Sequence, residues 1–222
     1  MNFLAHLLLS GSPATTRDYE DLVIGNFAAE AVRGRAQVQA YPATVQRGIH
    51  LHRFIDSFTD THPVVRRTTA RLREAGLGKW AGVVADVGYD HLLARDFSDF
   101  HPAEPLPAFA QRLYALLQAR RAELPERLQH MFQYMRRDDW LTGYAQPEGL
   151  ERALYGLSRR VPSGAVLATG RQRFCRKRRP MRQTFGSSGP SCGPEWRRPG
   201  KLRCIFDALV YIYPSVFNPS YS

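Results

Sequence analysis

Apolar positions recur at helical spacing along the first three-quarters of the chain, and strand-like alternation is scarce. The pattern predicts a short first helix over residues 2–10. A second follows over 18–33, with Asp18 as its N-cap and Gly34 as its stop. Pro42 suits the first position of a third helix, which His62-Pro63 should end. Residues 64–75 come next, closed by Gly76. Residues 79–97 are apolar over a broad face. Three amphipathic segments, 107–122, 125–137 and 147–160, complete a set without an internal repeat. The expected fold is an all-α, single-domain bundle of about eight helices. Gly25 lies inside a helical block, where glycine is unfavourable unless another helix or a ligand comes close.

The tail alters this picture. The chain has 222 residues and a net charge of +11, but residues 1–170 hold 20 Lys+Arg against 18 Asp+Glu, and residues 171–222 hold 11 against 2. All three cysteines (Cys175, Cys192, Cys204) lie after Gly170, without the paired spacing of a zinc site, and all seven histidines lie at or before His130. Past Gly170 the texture becomes basic, then rich in Gly, Ser and Pro. Three readings fit: an irregular, disordered basic tail, an arm attracted to nucleic-acid phosphates, or the product of a shifted reading frame. No stretch approaches the roughly 20 apolar residues of a membrane span. The run over residues 3–9 is interrupted by His6 and lacks a basic leader, so it reads as a buried helix. A cytoplasmic protein is the expectation.

Ionisable residues mark the candidate chemistry. At about 100° per residue, Ile49, His52, Asp56 and Asp60 share one stripe of the third predicted helix. Arg53 borders that stripe, and Leu51, Phe54 and Phe58 point elsewhere as anchors. Asp86 and Asp90 are four apart among valines and leucines, where two carboxylates are costly to bury unless a cation neutralises them. His91 points about 100° away from Asp90. Imidazoles and carboxylates from several helices can meet around a divalent ion, and such a mixed shell suits Mn²⁺, Fe²⁺ or Zn²⁺ better than Ca²⁺. The plainer alternative makes His6 a core histidine, and Asp56 and Asp60 exposed partners of Arg53 or Arg66.

The segments Met1-Asn2-Phe3-Leu4-Ala5-His6-Leu7, Gly25-Asn26-Phe27, Gly48-Ile49-His50-Leu51-His52-Arg53-Phe54-Ile55-Asp56, Thr59-Asp60 and Tyr89-Asp90-His91-Leu92-Leu93 resemble the acyl carrier protein phosphodiesterase family. The resemblance runs to about Gly170, where the family pattern of a further acidic and aromatic helix is lost. It implies an HD-domain-like fold, although the adjacent His-Asp pair of that superfamily is absent and Asp90-His91 has the reverse order. It also implies a divalent cation, typically Mn²⁺. The activity implied is hydrolysis of the phosphodiester joining 4′-phosphopantetheine to a serine of holo-acyl carrier protein. His6, His52, Asp56, Asp86, Asp90 and His91 are then the candidate metal ligands. Asp60 or Asp90 is the candidate base for the attacking water, Arg53 the clamp on phosphoryl oxygens, and His50 the proton donor. Asn26 and Arg53 are candidate substrate contacts. An acidic carrier protein would be drawn to basic pairs such as Arg66-Arg67, Arg120-Arg121, Arg136-Arg137 and Arg159-Arg160. Two other functions are open at this level: hydrolysis of nucleotides or another small phosphodiester, and a non-enzymatic helical module with a nucleic-acid-binding tail.

Overall fold

A computed structural model describes residues 2–161 and 163–175. Among the described residues there is no strand. Twelve α-helices follow in order: α1 (Phe3–Leu8), α2 (Tyr19–Ala28), α3 (Gly34–Gln39), α4 (Ala43–Thr61), α5 (Pro63–Leu72), α6 (Ala81–Arg95), α7 (Phe97–Phe100), α8 (Leu106–Ala119), α9 (Glu126–Arg137), α10 (Trp140–Gly143), α11 (Pro147–Arg160) and α12 (Gly170–Cys175). None is long and apolar enough to cross a membrane.

The long helices follow the hydrophobic pattern, while their ends follow local chemistry. Pro42 sits just outside α4, one position earlier than expected. His62 ends α4 and starts α5, its Nδ1 accepting the Val64 amide at 3.3 Å with Pro63 in the first turn. Asp18 does precede α2, but in a left-handed conformation and without a side-chain cap; its carboxylate takes Arg47 instead, at 2.9 Å. Gly34 does not stop α2, which ends at Ala28. With φ +69° it opens α3, a short helix that the pattern did not predict, anchored by buried Val38. The predicted 79–97 helix breaks near Asp96 into α6 and α7.

One core runs through α1, α2, α6, α8, α9 and α11, with Phe109, Phe132 and Leu113 among its fully buried side chains. A smaller cluster joins Leu9, Leu51, Ile55 and Val65, flanked by Phe54, Phe58 and Tyr89. Helix α4 therefore packs on two sides: Val45 and Ile49 into the main core, Leu51 and Ile55 into the lesser one. Between them runs the polar stripe of His52, Asp56 and Asp60. The helical body also continues past Gly170. Phe174 of α12 is buried against Gly88 of α6 and meets Tyr89 edge-on, and Arg171 pairs with Glu151. Residues 171–175 are thus helical, not irregular; the readings of the 171–222 tail as disordered, nucleic-acid-binding or frame-shifted otherwise fall on 176–222, outside the described residues.

Two close contacts hold the part of the bundle that carries the stripe. The first is backbone against backbone. A Cβ on Gly25 of α2 would lie 2.0 Å from the Val45 carbonyl oxygen, and one on Gly48 of α4 would lie 2.4 Å from the Leu22 carbonyl oxygen. The glycine in α2 is thus explained by the approach of another helix. The second contact fixes α1. Asp90, fully buried in α6, accepts the Leu4 amide at 2.9 Å and the Ala5 amide at 3.0 Å. These are first-turn amides with no partner inside their own helix. The buried carboxylate that the sequence seemed to leave in need of a cation is served by a helix N-terminus. Burial still dominates and pushes its carboxyl up to about 7, against the lowering effect of those amides.

Replacing Gly48 with Ala is expected to cost about 1–3 kcal/mol by overpacking, seen as a lower urea midpoint. Gly82→Ala, at a helical site with nothing within 4 Å of the new methyl, should instead gain about 0.5–1 kcal/mol. Asp90 carries a pH signature. Its carboxyl ionises near 3.8 unfolded and about 7 folded, so the stability it contributes is full below the lower value and lost as pH rises to the upper. Asp90→Asn cannot accept both amides. It should lower stability at about pH 5 by about 1–3 kcal/mol and narrow the gap from wild type as pH rises to about 8 in thermal melts.

Candidate metal centre

Three helices deliver the site. Helix α1 brings His6, which is 4% exposed; α2 brings Asn26, fully buried; α4 brings His52 and, one turn later, Asp56. The glycine contact between α2 and α4 sets Asn26 beside His52, and the Asp90 bonds hold α1 so that His6 meets both.

The two imidazoles lie face to face, with centroids 4.0 Å apart and planes 27° apart. At one end of the stack, Nδ1 of each ring is 3.0 Å from the single Oδ1 of Asn26. At the other, His6 Nε2 is 3.1 Å from Asp56 Oδ1 and His52 Nε2 is 3.3 Å from Asp56 Oδ2. The ligand atoms of His6, His52 and Asp56 lie within 4.8 Å of one another. A hollow of about 10 Å³, scarcely room for one water-sized occupant, adjoins the stack, lined by Asn2, His6, Asn26, Phe27, Glu30 and His52 among others.

The electrostatics show an excess of acceptors. Burial pushes the His6 imidazole below its ordinary value, against the raising effect of Asp56. Burial acts to raise the Asp56 carboxyl, but the His52 and His6 imidazoles beside it hold it well below the usual carboxylate range. Asp60 goes the other way: burial, then the nearby charges of Asp86 and Asp56, raises it. The charges of Asp56 and Asp86 thus both reach Asp60. That chemistry fits a divalent cation: imidazole nitrogen and carboxylate oxygen from separate helices are the donors such an ion takes.

The predicted residues divide accordingly. His6, His52 and Asp56 come together, and the charges of Asp56 and Asp86 act on Asp60. Asp90 and His91 do not join them. Both oxygens of Asp90 are used by α1. His91, on another face of α6, donates its Nδ1–H to the Tyr144 carbonyl at 2.7 Å, and burial pushes it down as a neutral ring. His50 and Arg53 are exposed on α4, with no ion pair among the described residues. Asn26, expected to touch substrate, instead faces the two rings. Sequence reasoning missed Ser10 and Glu30. Ser10 shows no signal beyond being i+4 from His6. Glu30 lies i+4 from Asn26, the spacing that puts two residues of a helical segment on one face.

Comparison with known proteins places the chain in a family. The family model described as acyl carrier protein phosphodiesterase matches residues 1–191. A protein of that name from Photorhabdus laumondii is 34% identical over 168 residues, covering 76% of this chain and 81% of its own. One from Yersinia enterocolitica is 32% identical over 191 residues, covering 86% and 95%. One from Pectobacterium atrosepticum is 34% identical over 168 residues, covering 76% and 83%. No solved structure matches the chain. With a family model spanning most of its length and relatives alike over four-fifths or more of theirs, the chain belongs to the acyl carrier protein phosphodiesterase family.

Proposed function

We propose that this protein is a cytoplasmic hydrolase of holo-acyl carrier protein. It cleaves the phosphodiester between 4′-phosphopantetheine and the carrier's serine, with Mn²⁺ held by His6, His52 and Asp56. The observation that carries the metal part is the convergence of those three donors from α1 and α4. When bound, the cation supplies Lewis acidity and neutralises charge on phosphoryl oxygens.

The chain's own residues do the rest. Asp60, raised by burial and then by its acidic neighbours, is the group suited to take a proton from the attacking water. Asp90, the other candidate base, is committed to the α1 amides. The water oxygen forms the new bond to phosphorus, the phosphorus–serine oxygen bond breaks, and the serine oxygen receives a proton. His50, the exposed imidazole of α4, is suited to give that proton. Arg53 borders the same stripe and is suited to bind a non-bridging oxygen. The products are apo carrier protein and 4′-phosphopantetheine.

Surface charge supports a protein substrate. Arg47, Arg95, Arg112, Arg120, Arg137 and Arg171 are tied to carboxylates of this chain. Arg136 is hydrogen-bonded to Gln118 and Arg159 to the Tyr155 hydroxyl. By contrast Arg53, Arg66, Arg67 and Arg73 are exposed on α4 and just beyond it, without an ion pair among the described residues. Arg67 lies near enough to act on both His62 and Tyr89, and Asp86 also acts on Tyr89. Unspent positive charge thus flanks the acidic site, and it suits an acidic carrier.

Holo-to-apo conversion, followed by the mass of the carrier, tests the reading. Chelation should abolish it and Mn²⁺ restore it, and Asp56→Ala, which removes one of three donors, should lower it at least about 100-fold, the top of the range for losing a residue that only orients a ligand. Turnover of nucleotides with none of the carrier protein would refute the substrate assignment. Arg66→Glu with Arg67→Glu should raise KM for the carrier while leaving kcat nearly unchanged. Raising salt to about 0.3 M, where screening acts within a few ångströms to one nanometre, should shrink that difference.

A further inference from the structure

We infer that Asn26 is a positioning residue that locks both histidines in one tautomer, so that each turns a bare Nε2 towards the cation. The inference rests on the metal reading above and adds how the ligands are prepared.

The amide's orientation is settled by what it touches. Asn26 Nδ2 lies 2.8 Å from the His6 carbonyl oxygen, an atom that can only accept. It also lies 3.0 Å from Ser10 Oγ, whose own hydroxyl donates to that carbonyl at 3.1 Å. The nitrogen end therefore faces acceptors, and swapping the two ends would set oxygen against the carbonyl oxygen. The oxygen end must face the rings. Since Oδ1 can only accept, both Nδ1 atoms at 3.0 Å carry hydrogen. A neutral imidazole has one ring hydrogen, so both Nε2 atoms are left with lone pairs.

Those lone pairs point at Asp56, with contacts of 3.1 and 3.3 Å. Two bare nitrogens against a carboxylate are acceptors facing acceptors, an arrangement that a cation between them satisfies. Asn26 spends its full capacity on this: two bonds accepted at Oδ1, two donated from Nδ2. It cannot swing away. It follows Gly25 at the tightest point of the α2–α4 contact, where a Cβ on Gly48 would lie 2.9 Å from the Asn26 backbone nitrogen. A hydrogen-bond partner on the far nitrogen of a metal-ligating histidine sets both the tautomer and the ring angle. Here one side chain does so for two ligands at once.

Long-range ¹H–¹⁵N correlation spectra of the imidazoles, recorded on the metal-free full-length protein at about pH 8, where unperturbed histidine is neutral, read the tautomers directly. Titration with Mn²⁺ alone gives the affinity. The wild type should show Nδ1–H on both His6 and His52. Asn26→Ala should release at least one ring to the Nε2–H form and weaken Mn²⁺ binding by about 10–100-fold. Asn26→Asp, which keeps an acceptor against the rings, should retain the Nδ1–H pattern. Ser10→Ala, which removes one support from the amide alone, should weaken binding only a few-fold; if the Ala variant at position 26 fails to fold, the wild-type tautomers alone decide the inference. An Nε2–H ring in the wild type, or an Asn26→Ala protein with unchanged tautomers and affinity, overturns the inference. A wild type with both Nε2 atoms bare that takes up no Mn²⁺ refutes the metal reading and leaves the tautomer assignment standing.

Discussion

Everything at the centre of this molecule depends on how closely α2 and α4 approach. With hydrogens in place of methyls at Gly25 and Gly48, the two backbones touch, and the residues one position after Gly25 and one turn after Gly48 become neighbours. Any side chain there would push the helices apart by more than the length of a hydrogen bond's tolerance. The glycines thus sacrifice helix propensity, and what they gain is a fixed distance between an amide and an imidazole.

Around that contact the structure places polar groups where an apolar core would be more stable by itself. His6, Ser10, Asn26 and Asp90 are all buried. Each is satisfied, but in different ways. Asp90 is answered by backbone amides within the fold, so its role is complete without any visitor. The imidazole–carboxylate trio is not: its inner ends are bonded to Asn26, and its outer ends bring acceptors together. That difference separates a carboxylate that holds a helix from one whose group could hold a cation. Both motifs look alike in one dimension, an acid among aliphatic residues on a helix.

Much was nonetheless legible in one dimension. The stripe of His52, Asp56 and Asp60 emerged from helical spacing, and the structure keeps it on one side of α4 between two apolar faces. The resemblance to the phosphodiesterase family, carried by the opening segment and the His-x-His-Arg block, agrees with the family match. The run over residues 3–9 reads as a buried helix, and Phe3–Leu8 forms one. Errors fell at helix ends. Glycine after an apolar run usually ends a helix, which makes Gly34 look like a stop, yet its positive φ here begins the next one. The compositional break at Gly170 suggested where the body ends, but Phe174 is part of the core. Composition averages over windows, whereas burial is decided by single side chains.

By itself the amino-acid order determined the all-α class, the main helices and the residue types that could bind a metal, because those follow from spacing within one helix. Tertiary structure alone decided which of them meet. Asp90 and His91 are neighbours in sequence, yet one faces α1 and the other the Tyr144 carbonyl. His6 and Asn26, twenty residues apart, share a hydrogen bond. Periodicity fixes the direction of a side chain about its own helix axis, but not what the next helix presents to it. That second relation depends on interhelical distance, which here was set by two missing methyl groups.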